Sequence, residues 1–101
     1  MAAIAFRRGS ATGGKTNGLL NMFYVYILRS EVTEKYYIGH TAYYEKRLKD
    51  HNRGKVRSTK PFVPWKIVYL EEYNSKSEAF KREMQIKSYK SGEAFRRLIN
   101  K

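Results

Sequence analysis

Glu83 is the residue of this sequence whose position simple packing explains least. At 100° per residue on a helix it lies about 40° from Ala79, inside the arc that also carries Phe80, Met84 and Ile86. A carboxylate on an apolar helix face requires a partner. One candidate is Lys87, four residues on, in a pair worth a few tenths of a kcal/mol; the other is a metal ion, and the helix pattern alone favours the lysine. Tyr26 and Tyr37 are ambiguous in the same way, because strands select aromatic residues for packing.

Several other chemistries are excluded by composition. The only Asp is Asp50 and the Glu residues are scattered, so the convergent carboxylates of a two-metal nuclease are not expected. There is no cysteine, which rules out disulfides, thiolate catalysis and cysteine-ligated zinc. Two histidines, His40 and His51, are too few for a structural zinc site, and no Ser-His-Asp arrangement stands out.

Charge points to the partner. The formal net charge is +12, from 21 Lys and Arg against 9 Asp and Glu, the electrostatic footprint of a protein that meets phosphate. The basic residues are dispersed among aromatics and do not gather on one amphipathic helix, so nucleic acid is expected ahead of an anionic membrane. No run approaches the roughly 20 apolar residues of a membrane span. A soluble protein compatible with the cytoplasm is the expectation.

The elements that must position these residues follow from local pattern. Phe23 to Arg29 and Tyr36 to Gly39 are rich in β-branched and aromatic residues and are joined by the polar stretch Ser30 to Lys35, which predicts a hairpin. Thr41 offers an N-cap, and Tyr44, Arg47, Leu48 and His51 recur at helical spacing up to Gly54. A basic loop with two prolines, Lys55 to Pro64, precedes a third strand over Trp65 to Leu70. Ser75 and Glu78 form a capping box that starts a helix running to about Tyr89, and a short helix with Phe95, Leu98 and Ile99 follows Gly92. The expected domain spans 22–101.

Residues 1–21 are rich in Gly, Ser, Thr and Ala, lack acidic residues and show no useful periodicity, so they are expected to be a disordered extension. They carry three basic residues, leaving 21 − 3 = 18 basic against 9 acidic for 22–101, a net of +9. Gly9 to Thr16 satisfies the phosphate-loop pattern G-x-x-x-x-G-K-T. No helix opens after it and the chain is too short for the usual parallel sheet, so a nucleotide cofactor is not expected. The acid-free, Arg-containing start has only a slight resemblance to a transit peptide.

Taken together, Tyr24-Val25-Tyr26, the spacing from Tyr26 to Tyr37, and Tyr37-Ile38-Gly39 resemble the paired strand motifs of the GIY-YIG nuclease family. The resemblance continues through Arg47, Leu48, His51, Asn52 and Gly54, similar to R-L-x-x-H-N-x-G, and through Arg82 to Lys87, similar to R-E-x-Q-I-K. It covers essentially all of 22–101 and is greatest to the small standalone members. It implies an α+β fold, a three-stranded antiparallel sheet flanked by helices, and a divalent-metal-dependent endonuclease acting on DNA. By the resemblance Glu83 would hold Mg²⁺ or Mn²⁺, Arg47 would neutralise phosphate charge, and Tyr26 would be the general base, its phenol brought down by positive charge. Tyr37 would orient water or metal ligands, and His40 would accept a proton or touch phosphate. His51, Lys55, Arg57, Lys60 and Lys87 would contact nucleic acid. The chain departs from the pattern in having Tyr24 for the first Gly, and Phe95, between Ala94 and Arg96, where the family often has Asn.

Overall fold

A computed structural model describes residues 5–8, 22–90 and 92–100 of the chain. The elements, in order, are β1 (Ala5–Arg8), β2 (Phe23–Ser30), β3 (Tyr36–Thr41), α1 (Tyr44–Asn52), a 3-10 turn at Lys60–Phe62, β4 (Trp65–Tyr73), α2 (Lys76–Lys87) and α3 (Glu93–Ile99). The sheet order is β1-β4-β2-β3. β2 pairs antiparallel with both β3 and β4, which is the expected three-stranded antiparallel sheet with its helices. One strand was not expected: β1 pairs in parallel with β4, Ala5 opposite Tyr69 and Arg8 opposite Glu72. It falls inside the stretch read as a disordered extension, and local pattern could not reveal it because four residues become a strand only when an existing edge supplies the hydrogen bonds. The phosphate-loop match at 9–16 lies outside the described residues.

β2 is the central element. Val25, Tyr26, Ile27 and Leu28 are each at most 2% exposed, which is possible only if both faces of the sheet are covered. Val25 and Ile27 face α2 and α3 with Tyr69, Ala79, Ile86, Phe95 and Leu98. Tyr26 and Leu28 face the other way with Trp65 and Leu70, against Tyr37, Tyr44, Leu48 and Phe62. Burying one such aliphatic side chain stabilises the fold by about 1.5–3 kcal/mol.

Helix boundaries depart slightly from expectation. The Ser75 hydroxyl accepts from the Glu78 amide at 3.1 Å, so α2 starts where its capping residue places it, but it ends at Lys87. Thr41 does not cap α1: it ends β3, and its hydroxyl accepts the Tyr43 amide at 3.1 Å in the turn before the helix. No described helix is long and apolar enough to cross a membrane.

Candidate active site

Tyr26 pairs with Gly39, the glycine of the second strand motif, so the two share the α1 side of the sheet. A Cβ added at Gly39 would stand 2.6 Å from the Tyr26 hydroxyl oxygen and 2.8 Å from Cζ. The glycine is therefore required by the phenol that lies over it. Tyr37 shares this side, its ring 6.2 Å from that of Tyr26 and 4.7 Å from the imidazole of His51.

His51 extends the site inward from α1. Its Nδ1 lies 2.8 Å from the Thr59 hydroxyl, and that hydroxyl donates to the Val56 carbonyl at 3.2 Å. With its hydrogen committed, Thr59 accepts from Nδ1–H, which leaves Nε2 bare to accept the Tyr26 hydroxyl at 3.2 Å. Burial, joined by the positive charge of Arg47, pushes His51 down to about 4, against the opposing Asp50, so the ring is neutral near pH 7. His51 is fully buried. The expectation that it touches nucleic acid is thus corrected: it lies behind the tyrosine, out of reach of a phosphate.

The Tyr26 phenol is pushed up to about 12 by burial and by Tyr37, with Glu83 contributing, over the lowering effect of a hydrogen bond and charge from Arg47. Positive charge was expected to bring this hydroxyl down; the cation is present, but desolvation of a residue only 2% exposed outweighs it. Arg47, half-buried on α1, acts on this hydroxyl by hydrogen bonding and by charge.

The remaining members come from the other side of β3. His40 pairs with Val25 and so faces α2, where its Nδ1 meets Glu83 Oε1 at 2.5 Å. Lys87 Nζ meets the other oxygen, Oε2, at 2.6 Å. The alternatives for Glu83 are therefore not exclusive: the i, i+4 lysine pair exists, yet the same carboxylate is 7% exposed, reaches across to His40 and acts electrostatically on Tyr26. β3 is an outer strand of the sheet, with Tyr26 and Gly39 on one face and His40 with Glu83 on the other, and Glu83 is felt electrostatically by the Tyr26 phenol.

Among the described residues no group of three or more His, Cys, Asp or Glu could hold a metal. A hard divalent cation needs less than that, because Mg²⁺ retains waters and is commonly bound by one or two carboxylates plus substrate phosphate. Glu83 already meets a ring nitrogen of His40 on one oxygen and the ammonium of Lys87 on the other, and Lys87 is half-exposed and free to swing away. The donor chemistry fits Mg²⁺ or Mn²⁺ on a single carboxylate.

Lys55, Arg57 and Lys60 are exposed on the loop after α1. Asn52 fastens that loop: its side chain donates to the Trp65 carbonyl at 3.0 Å and accepts the Trp65 amide at 2.6 Å. Sequence reasoning missed three contributors. Thr59 sets the His51 tautomer; Asn52 was read only as part of a motif. Glu71, 1% exposed on β4, accepts from Tyr69, from Tyr73 at 2.6 Å, and from both ends of the Arg82 fork at 2.9 and 3.0 Å. Burial works against its charge, but the bonds from Arg82, Tyr69 and Tyr73 outweigh it and hold the carboxyl below the ordinary range. Arg82 precedes Glu83, so this network fixes the rotation of α2 that presents Glu83 to His40. Phe95 is 5% exposed and packs edge-on to Tyr36 at 5.0 Å.

The chain resembles known proteins. The family model described as the GIY-YIG catalytic domain matches residues 22–94. A UPF0213 protein of Syntrophus aciditrophicus is 47% identical over 73 residues, covering 69% of this chain and 82% of the relative. Another, of Staphylococcus haemolyticus, is 42% identical over 67 residues, covering 65% and 80%; one of Haloquadratum walsbyi is 37% identical over 67 residues, covering 65% and 74%. No solved structure matches the chain.

Proposed function

We propose, from the premise that this chain belongs to the GIY-YIG family as one of its small standalone members, that it is a divalent-metal-dependent endonuclease hydrolysing DNA phosphodiester bonds and selecting structure over sequence. The family's domain is of nuclease type and acts on nucleic acid; metal, DNA and structural selectivity are the finer parts of this reading. One observation carries it: a phenol hydrogen-bonded to a neutral imidazole has an arginine beside it and feels the charge of the Glu83 carboxylate, which itself pairs with a cation.

Glu83 would hold Mg²⁺ or Mn²⁺, and the bound ion supplies polarisation of the phosphate and neutralisation of the leaving oxygen. The protein's own residues do the rest. Arg47 moves from the Tyr26 hydroxyl to the phosphate, where its fork matches two oxygens. That transfer frees a lone pair of the hydroxyl for the attacking water. A phenol with so high a pKa does not ionise first. Tyr26 instead takes the water's proton as it passes its own to His51 Nε2, which burial keeps unprotonated and Thr59 keeps in the right tautomer. His40 holds the Glu83 carboxylate in place, and Tyr37 packs beside both Tyr26 and His51.

The net of +9 over 22–101 (18 basic, 9 acidic) supports phosphate-directed, salt-sensitive binding, to which Lys55, Arg57, Lys60 and Lys87 contribute. The test is cleavage of a panel of flapped, branched, nicked, duplex and single-stranded DNA and RNA with and without Mg²⁺. Cleavage of branched or flapped DNA is expected, lost in Glu83→Ala and Tyr26→Phe while both bind DNA in chelator. A wild type that cuts nothing, or a Glu83→Ala that cuts as well as wild type, overturns the proposal; in the former case a non-catalytic nucleic-acid-binding module is what remains.

A further inference from the structure

A cleft of about 380 Å³ opens between the first half of β3 and the C-terminal end of α2. Its apolar lining is Tyr36 and Ile38 from β3, Ile86 from α2 and Phe95 from α3. Lys87 and Lys90 charge one side. Lys35 stands at the other with its ammonium over the Phe62 ring at 5.2 Å, and Glu34 is the one acidic residue in the lining. Cations thus outnumber the acid three to one over an aromatic and aliphatic floor. Tyr36 is held ready in it, 38% exposed, edge-on to Phe95 and with the Arg29 guanidinium 5.9 Å over its ring.

The cleft adjoins the candidate active site. Tyr36, Ile38 and His40 alternate onto one face of β3, opposite Arg29, Ile27 and Val25, and His40 grips Glu83. Two to four residues at about 3.3 Å each put the cleft roughly 7–13 Å from His40, within reach of a neighbouring nucleotide. Lys87 belongs to both places, lining the cleft and pairing with Glu83. A ligand that is both anionic and planar-apolar, and is tethered to a phosphate at Glu83, is a nucleotide. Its base must be unpaired to enter, since a base within a duplex has its faces stacked and its edge engaged. With no amide or hydroxyl side chain beyond the Tyr36 phenol in the lining, the cleft takes a base by stacking and charge and does not read its identity.

We infer that this cleft receives an unpaired nucleotide of the substrate strand, next to the bond placed at Tyr26 and Glu83, and that it is the source of selectivity for splayed or flapped structures. The inference rests on the nuclease reading for the bond, but not for the binding.

The experiment measures binding in chelator, where no cleavage intervenes, by fluorescence anisotropy with three DNA probes: a flap with unpaired nucleotides, the same flap made abasic, and a fully paired duplex. Lys35→Glu with Lys90→Glu, both exposed positions, should reduce the flap-over-duplex preference at least tenfold. Tyr36→Ala should weaken the ordinary flap about tenfold and leave the abasic flap within twofold of wild type. Equal losses on flap and duplex would reduce the lysines to a general field and overturn the inference; so would unchanged flap binding in both variants, or a Tyr36→Ala loss that is the same without the base. Absence of cleavage in the substrate panel would sink the nuclease reading and leave this binding result standing, so the two failures are distinguishable.

Discussion

The Tyr26 hydroxyl lies where a side chain at Gly39 would have to be: a Cβ there would be 2.6 Å from its oxygen. The obstructed atoms are the rigid end of a buried ring that cannot give way. Gly39→Ala should therefore displace the hydroxyl from His51 and Arg47, costing on the order of 1–3 kcal/mol in stability for overpacking and about 10²-fold in kcat for an ångström-scale misplacement. Thermal melts and single-turnover cleavage measure both. Wild-type cleavage by a folded Gly39→Ala would show that the position of this hydroxyl does not matter.

His51 offers a second discrimination. As proton acceptor for Tyr26 it acts on kcat, whereas a phosphate contact would act on substrate affinity. His51→Gln should lower kcat by about 10²–10⁴-fold with DNA binding unchanged, and Thr59→Val, which releases the tautomer, should have a smaller effect in the same direction. Weakened binding at an unaltered rate would restore the surface role that burial argues against.

The same histidine makes stability depend on pH. The unfolded chain takes up a proton at this residue near the ordinary 6.5 and the folded one only near 4. Below 6.5 the unfolded state therefore binds more protons, and stability is full above 6.5 and declines as pH falls toward 4, by on the order of 3 kcal/mol. Glu71, whose carboxyl is held below the ordinary range, adds a loss at still lower pH. Denaturant midpoints from pH 7 to 4 should fall for the wild type and less steeply for His51→Gln; parallel curves would contradict the assignment.

Lys87 competes with any divalent ion for Glu83. Its ammonium is half-exposed, so the pair is worth no more than about 1 kcal/mol. Lys87→Met should accordingly tighten Mn²⁺ binding in the absence of nucleic acid by about threefold to fivefold, and Glu83→Ala should abolish it. Titration followed by electron paramagnetic resonance reads this directly. Equal Mn²⁺ affinity in Lys87→Met and wild type would mean that the lysine does not guard the carboxylate.

Removing the Glu71 charge leaves the mostly covered Arg82 guanidinium short of its partner. Glu71→Gln should destabilise the protein by about 3 kcal/mol and lower Tm by at least about 10 °C. Because Arg82 and Glu83 are adjacent on α2, kcat should fall as well at temperatures where the variant is folded. A melting temperature within a degree or two of wild type would show that this network is not what anchors α2.

What the amino-acid order determined by itself was local and compositional. Ser75 caps α2 because its hydroxyl reaches an amide three residues on. The β-branched and aromatic runs of β2 and β4 read as strands. The spacing of Tyr26, Tyr37, Arg47 and Glu83 marks the family, and the charge marks the partner. Such features depend on neighbours a few residues apart or on sums over the chain, so they are legible without the fold. Thr41 shows the limit even there: two residues of turn separate it from α1, and it caps nothing. Tertiary structure alone decided that β1 would lengthen the sheet, that His51 would be buried behind Tyr26 with Thr59 setting its tautomer, and that Glu71 would meet Arg82. It also decided the sign of the Tyr26 shift, since desolvation exists only once the chain has packed around the ring and there exceeds the pull of the arginine.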